Sequence, residues 1–368
     1  MKILHVVLGY KPAFRLGGPV HSASAVAERL VSKGHEVIVF TTNSNLDQDL
    51  DVPTNRPIDV NGAQVWYFRR QEPIQKWLPY VSYLSQSIGY LYAPAMKAQL
   101  DRIVPSVDVV HTQMPFVYPT LAAGKAAIRH GKPLFYQQRG VLGPEHLKFR
   151  GIKKKIYIYA VERPIMRRAT TLIALTEAEF GVYRDLGVQT PCRIIPNGVD
   201  IVDRLRPSEY PDCSPCNISP DRTVILFMAR LHPLKGADRL IRAFLMLHRG
   251  FPRATLVMAG PDERGIMESL RSEIRNAGAE DRILFPGMVT GRLKEELLAR
   301  ADLFCLPSEA EGFSISILEA LANATPVLIS PGCHFSEVEE AGAGRVVRPE
   351  PDKIRDAMAD LLNNHEKL

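Results

Sequence analysis

The chain has no run of 18 or more apolar residues, so the sequence offers no candidate transmembrane helix. The N-terminus, "MKILHVVLGYKPAFRLGG", has a short apolar run and no small-residue cleavage site, and reads as a first strand rather than a signal peptide. Cysteine is scarce: five residues, an odd number, argue against a disulfide framework and for a reducing cytosol. Cys213 and Cys216 form one CxxC in "YPDCSPCNISPD", but no second CxxC or CxxH completes a zinc site. That pair reads as a loop with two cysteines, and no metal is expected. Internal repeats and low-complexity segments are also lacking. What remains is an ordinary globular composition, 46% hydrophobic and 23% charged, in 368 residues, enough for two domains with separate cores. A net charge of +6 points to an anionic partner. A nucleotide, a phospholipid surface and a nucleic acid all fit that sign, but no nucleic-acid reader motif accompanies the charge.

Short β-branched runs alternate with helical patterns along the whole chain. The first half holds "KILHVVL", "HEVIVFTT", "QVWYF", "DVVHTQ", "PLFYQQRG", "TLIALT" and "CRIIPNG". After residue 221 come "TVILFMAR", "TLVMAG", "ILFPGMV", "LFCLPS", "PVLIS" and "GRVVRP". Continuous apolar strands between amphipathic helices mean parallel sheets covered on both faces. Residues 201–221 break the rhythm with Pro, Ser, Asp and Cys and read as a linker. The expected architecture is α/β: two doubly wound Rossmann-like domains, 1–200 and 222–368, facing across a cleft. Ligands in such sheets bind beyond the carboxyl ends of the strands, so the loops there are the places to look.

Three loops carry chemistry. In "FMARLHPLKGADRL" a strand ends near Arg230 and Lys235-Gly236 opens a helix, so two cations and a helix start converge as an anion site. Without the upstream glycine of a Walker A loop, it is not a P-loop. In "LGGPVHSASAVAERL", Gly17 and Gly18 precede a helix with Pro19 at its first position; glycines let a ligand approach the backbone. The spacing is not GxGxxG and no acid ends strand two, which leaves a dinucleotide oxidoreductase poorly supported. In "PSEAEGFSISILEALANATPVLIS", Ile315, Leu318 and Ala322 recur at helical spacing, with Ile317, Leu321 and Ala324 covering the rest. This predicts a helix buried on most sides, with Glu319 inside the apolar stripe and in need of a polar or cationic partner. At helical rise, Glu311 and Glu319 stand about 12 Å apart, too far to act as an acid/base pair on one bond. Such a pair suits hydroxyls of an extended polyhydroxyl ligand; the alternative is that Glu319 only caps or pairs with a structural Arg. Cations for a diphosphate, glycines for close approach and carboxylates for hydroxyls together match a sugar nucleotide.

With "GGPVHSASAVAERLVSKGHEVIVFTT", "DVVHTQ", "IPNGVD", "ARLHPLKG", "FPGMV" and "EGFSISILEALANATPVLIS" in this order, the chain resembles the retaining glycosyltransferases of family 4, which have the GT-B fold. The resemblance spans residues 3 to about 349, and the Arg/Lys motif with the later E-x7-E motif is specific in combination. It implies that Arg230 and Lys235 bind the donor diphosphate, Glu311 the transferred sugar and Glu319 the ribose. It implies that Gly17 and Gly18 approach the phosphates, and that backbone at Met288 and Val289 contacts the base. The turn Gly312, Phe313, Ser314 and Ile315, through Ser316, would offer amides to the phosphate. The co-substrate is then a nucleoside-diphosphate sugar, with cations and helix-start amides in place of a metal, and no other cofactor. Retention would follow front-face attack assisted by the departing phosphate.

Two departures from the family pattern matter. Many relatives carry His-Gly where this chain has Arg139-Gly140, and Arg139 is a candidate phosphate-binding catalytic residue. Gln113 stands where a second histidine is frequent, and His111 reads as a satisfied core histidine. The chain also ends soon after its last helix, near Asn364, so it is either truncated or naturally short.

On the acceptor side, residues 145–168 interleave eight Lys/Arg with Ile, Tyr and Phe and only two acids. Docking on an anionic membrane and a solvated basic helix face both fit. Trp77, Tyr80, Tyr83, Tyr90 and Tyr92 either line an acceptor groove or merely pack. The expectation is a cytoplasmic hexosyltransferase, peripheral on the inner face of the membrane. It moves sugar to a hydroxyl of a glycan or lipid-linked glycan in envelope polysaccharide or glycolipid assembly. The rivals are a GT-B sugar-nucleotide epimerase and a non-catalytic sugar or nucleotide binder.

Overall fold

The computed structural model describes residues 1–46, 48–71, 91–144, 151–201, 216–262 and 265–364. The chain forms two compact units, Met1–Asn197 and Gly198–Leu368. Most of the 201–221 stretch, including Cys213, lies outside the described residues, as do Trp77, Tyr80, Tyr83 and Tyr90.

The first unit is built on an eight-stranded sheet: β1 (Lys2–Val6), β2 (Glu36–Thr42), β3 (Pro57–Val60), β4 (Ala63–Phe68), β5 (Val109–Gln113), β6 (Leu134–Gln137), β7 (Thr171–Ala174) and β8 (Cys192–Ile194). The order across the sheet is β8-β7-β6-β5-β1-β2-β4-β3, parallel except for the β3–β4 hairpin at one edge. β1 sits between β2 and β5, with Leu4 opposite Ile38 and Val110. Helices α1 (Gly18–Ser32), α2 (Pro94–Ile103) and α3 (Tyr118–Arg129) cover the sheet, and α1 turns a small-residue stripe inward, Val20, Ala23 and Ala27. Gly17 caps α1 at φ +79°, a left-handed value that favours glycine, and so places Pro19 at the second helical position rather than the first. Helix α4 (Gly151–Tyr157) runs through a π turn, Ile158–Glu162, into α5 (Arg163–Arg168), and α6 (Glu177–Asp185) follows β7.

The second unit has six parallel strands: β9 (Thr223–Met228), β10 (Ala254–Ala259), β11 (Ile283–Gly287), β12 (Leu303–Leu306), β13 (Val327–Ile329) and β14 (Gly344–Val346), ordered β11-β10-β9-β12-β13-β14. α7 (Ala237–Leu247) buries Leu240, Ile241, Phe244 and Leu247, one helical face, each side chain contributing about 1.5–3 kcal/mol of apolar burial. It packs against α12 (Pro351–Asn363); between them in sequence come α8 (Ile266–Ala277), α9 (Gly291–Arg300), α10 (Ile315–Ala322) and the short α11 (Glu337–Glu340). β9 ends two residues before Arg230 and β12 two before Ser308, so both site loops begin earlier than the apolar runs suggest. Sequential strands run outward in opposite directions from β9 and β12. That reversal is a topological switch point, and the loops at its carboxyl side border a crevice. The first unit has the same reversal between β1 and β5.

Candidate active site

The loop after β9 is held by its neighbours before any ligand arrives. Gly260 follows β10 with φ +149°, and a Cβ there would lie 1.9 Å from the carbonyl oxygen of Ala229; only glycine lets the two strand ends close up. Ala229 N–H donates to Ala259 O and Leu231 N–H to Pro261 O, which fixes the backbone on both sides of Arg230. His232 then caps a 3-10 turn, Pro233–Lys235, its Nδ1 accepting from Leu234 N–H at 3.1 Å. Gly236 leaves that turn at φ +72° and starts α7, and a Cβ on it would stand 2.2 Å from Pro307 O.

That contact joins the turn to the loop after β12. Ser308 Oγ donates to Leu234 O at 2.9 Å, and Glu309 N–H to the same oxygen at 2.8 Å. Glu311 N–H donates to Gly332 O, and Ser330 Oγ to Ser308 O, so the second loop is braced from β13 as well. The result brings Lys235 and Glu311 together across the switch point: Lys235 Nζ donates to Glu311 Oε1 at 2.6 Å in a largely buried pair. Sequence separation hides this contact, while strand order explains it.

Past Gly312 and Phe313 the chain enters α10, with Ser314 at the N-cap. Ser314 Oγ bonds Ser316 Oγ at 3.0 Å and makes no capping bond to the first-turn amides. An uncapped helix start of this kind offers N–H donors and the positive end of the dipole to an anion. The buried positions of α10 are Ile317 and Ala320. Ile315, Leu318, Glu319 and Ala322 are only half-buried, so the expected stripe is not the core face. Glu319 meets Lys294 of α9, whose Nζ lies 2.5 Å from Oε1, with each side chain 20% exposed. Its protein partner is a lysine where an arginine was the alternative expectation. The 12 Å helical spacing also fails, because four of the nine residues from Glu311 to Glu319 precede the helix. Among the described residues, both lysines engage Oε1 and no hydrogen bond reaches Oε2 of either glutamate. Met288 is 46% exposed just after β11, beside the buried Val289.

In the first unit, β1, β5 and β6 bring a second polar cluster to their carboxyl ends. Arg139 has φ +57°, a strained value for a residue with a side chain, costing of order 1–3 kcal/mol. Its Nε donates to Gln113 Oε1 at 2.9 Å, and its Nη1 to Ser22 Oγ at 2.7 Å and Asn197 Oδ1 at 2.9 Å. With Gln113 Oε1 so engaged, the amide nitrogen faces His5 Nε2 at 2.6 Å; that nitrogen accepts, and the ring proton sits on Nδ1. His5 and His111 stack with centroids 4.7 Å apart. Burial holds His5 well below the usual histidine range and His111 down at about 3, so both are neutral at pH 7. His111 Nε2 and His5 Nδ1 are buried without hydrogen-bond partners, so His111 is a core histidine but not a satisfied one. Burial also lowers the Arg139 guanidinium to about 10, still a cation at neutral pH. Glu179, close enough to feel that charge, is raised to about 7 by burial, against the pull of the Leu175 N–H on Oε2. Arg139 is thus a largely buried cation held by three neutral oxygens, set against α1 through Ser22, one turn past the helix start.

Gly17 and Gly18 lie at that same helix start, and no atom comes within 4 Å of a Cβ built on Gly17, which leaves the backbone open to approach. Lys294, Ser22 and Asn197 were not foreseen as members of these clusters. No periodicity or motif marks them, since each is chosen by how separate elements pack. Cys216 is half-buried against the second core, and among the described residues no group of three or more His, Cys, Asp or Glu gathers as a metal site.

Two Rossmann-like α/β units, each with polar loops at its switch point, are the architecture of the GT-B class. Solved structures agree at the level of fold. An Anabaena protein, HepE, in complex with UDP and glucose aligns over 100% of this chain and 91% of its own, with TM-score 0.71 and 20% identity. Sucrose-phosphate synthase from Thermosynechococcus elongatus aligns over 100% and 90%, with TM-score 0.73 and 18% identity. Residues 16–203 match the Glycosyltransferase Family 4 model and residues 215–368 the model of glycosyl transferases group 1. The chain belongs to this family of group 1, family 4 glycosyltransferases. An uncharacterized glycosyltransferase of Methanocaldococcus jannaschii is 38% identical over 96% of this chain and 87% of its own. GDP-mannose:cellobiosyl-diphosphopolyprenol alpha-mannosyltransferase of Xanthomonas oryzae pv. oryzae is 26% identical over 98% and 86%. D-inositol 3-phosphate glycosyltransferase of Nocardia farcinica is 28% identical over 78% of this chain, which spans 58% of that relative.

Proposed function

We propose that the protein is a retaining, metal-independent hexosyltransferase that moves a sugar from a nucleoside-diphosphate sugar to a hydroxyl of a glycan or lipid-linked glycan. The setting we infer is cell-envelope polysaccharide or glycolipid assembly, at the cytoplasmic face of the membrane. The observation that carries this reading is the Lys235–Glu311 pair, braced by Gly236 and Ser308; Lys235 shares its loop with Arg230, and Glu311 shares its loop with the uncapped start of α10. An anionic leaving group bound there meets two cations and a set of backbone amides, which stabilise the charge that grows on it in the transition state. Glu311, with Oε2 open, suits a hydroxyl of the transferred sugar, and Glu319, held by Lys294, suits the ribose. Met288 and Val289 suit the base, and Gly17, Gly18 and Arg139 are the first unit's candidates for an anionic ligand.

In the step proposed, the bond from the anomeric carbon to the diphosphate oxygen breaks and the diphosphate leaves with the electron pair. The acceptor oxygen bonds to the same face, and its proton passes to the departing phosphate oxygen. The test is transfer or slow donor hydrolysis in EDTA from an α-linked nucleoside-diphosphate sugar, with the first-formed anomer identified by NMR. The α product at an undiminished rate is expected. A β product, or a rate abolished by EDTA, would overturn the reading.

A further inference from the structure

We propose that the helix running from Gly151 to Arg168 lies flat on an anionic lipid bilayer, with Ile152, Ile156 and Tyr159 entering the interface. The first observation is exposure. These three side chains are 78%, 64% and 49% exposed, among the most open apolar residues in the protein. Ile152 and Ile156 stand at i and i+4 of the α-helical part and share one face, and Tyr159, in the π turn, lies against the same surface. With Ala160 and the stem of Lys155 they line a shallow groove of about 500 Å³. Lys155 and Lys153 flank this stripe, roughly 60° to one side and 100° to the other, where long side chains reach past buried apolar groups to lipid headgroups.

The second observation concerns charge. Only one acid lies between 151 and 168, and it points inward: Glu162 is fully buried, accepting from Phe116 N–H and Tyr136 Oη–H at 2.8 Å each. Among residues 151–168 the exposed positions thus include Lys153, Lys155, Arg167 and Arg168 and no carboxylate. An aliphatic stripe flanked by cations matches an anionic bilayer, whose headgroups meet the lysines while its interface takes the isoleucines. It suits a nucleic acid poorly, because phosphates have no use for the central stripe. Two copies of this face would repel each other.

The π turn explains why the stripe stays outside. Beyond Tyr157 the extra residue per turn shifts the helical phase, and the buried set becomes Ile158, Glu162, Ile165 and Met166, anchoring the C-terminal half while the N-terminal half presents its apolar residues outward. None of its residues belongs to the loops assigned to the donor, so its test does not depend on them.

The test is co-sedimentation of the full chain with vesicles of phosphatidylcholine, alone or with 30% phosphatidylglycerol, at low and high salt. Binding to the anionic vesicles is expected, weaker at high salt and at least tenfold tighter than to neutral ones, since each basic residue near such a surface is worth about fivefold. Ile152→Ser/Ile156→Ser should lose at least a further tenfold at an unchanged melting temperature. Lys153→Gln/Lys155→Gln should flatten the salt dependence. Equal binding to both vesicles, no binding to either, or an Ile152→Ser/Ile156→Ser protein that binds like the parent would each overturn the proposal.

Discussion

Replacing Lys294 with methionine keeps most of the side-chain stem and removes the charge that meets Glu319. The pair is 2.5 Å long and each side chain is 20% exposed, a position between a surface ion pair worth under about 1 kcal/mol and a buried one whose disruption costs about 3–5 kcal/mol. If Glu319 Oε2 accepts from a ribose hydroxyl, that charge-assisted bond contributes about 1.5–3 kcal/mol, and a 2′-deoxy nucleotide should bind roughly 10- to 150-fold more weakly. In the Lys294→Met protein the carboxylate regains rotamer freedom that the ligand must then remove, at a cost of up to about 1.5–2 kcal/mol. The expected outcome is a five- to thirtyfold fall in ribose discrimination with little change in affinity for the deoxy compound. Calorimetry on the best-binding of UDP, GDP and ADP and its 2′-deoxy form reads this directly, in the parent, Lys294→Met, Lys294→Arg and Glu319→Gln. Lys294→Arg should retain the discrimination and Glu319→Gln abolish it. Full discrimination in Lys294→Met, or tighter ribonucleotide binding there, would refute the positioning role and make Lys294 a bystander or a competitor for the carboxylate. Discrimination that survives Glu319→Gln would refute the ribose assignment itself.

Gly236→Ala should cost more than about 3 kcal/mol in urea unfolding, because its Cβ collides with Pro307 O at a left-handed φ. Gly278→Ala, left-handed at +65° but with nothing within 4 Å, should cost only about 1–2 kcal/mol. Burial raises the Glu162 carboxyl from its ordinary value to about 6. The folded state then holds that proton more tightly than the unfolded chain, so stability falls as pH rises from about 4.5 to above 6, by about 2 kcal/mol. Glu162→Gln should remove that part of the pH dependence in melting curves taken from pH 4.5 to 7.5. Arg139→Lys keeps the charge but not the planar fork that reaches Gln113, Ser22 and Asn197 together; transfer should slow at least tenfold, and a normal rate would count against a role for Arg139.

Much of this was legible because several cues coincide in one loop. Arg230, Lys235 and Gly236 combine a strand end, two cations and a glycine, and the parallel sheets follow from continuous apolar runs. The strand order that pairs Lys235 with Glu311 is not written in either loop, and Lys294 carries no motif at all. The apolar pattern also misled where tertiary packing chose the face. In α10 the core takes Ile317 and Ala320 and leaves Ile315 and Leu318 half-open. In the basic helix the sequence left docking and simple solvation open, and the π turn at Ile158–Glu162 is a feature that no periodicity count anticipates. The first six residues of the 145–168 stretch lie outside the described residues.

The most direct test of the central claim is a calorimetric titration with UDP, GDP and ADP, and the matching monophosphates, in EDTA, on the parent and an Arg230→Ala/Lys235→Ala variant. One diphosphate should bind without metal, more tightly than its monophosphate, and that binding should vanish in the variant. A folded parent that binds none of them, or a variant that binds as well as the parent, would contradict the assignment of this loop as the donor site.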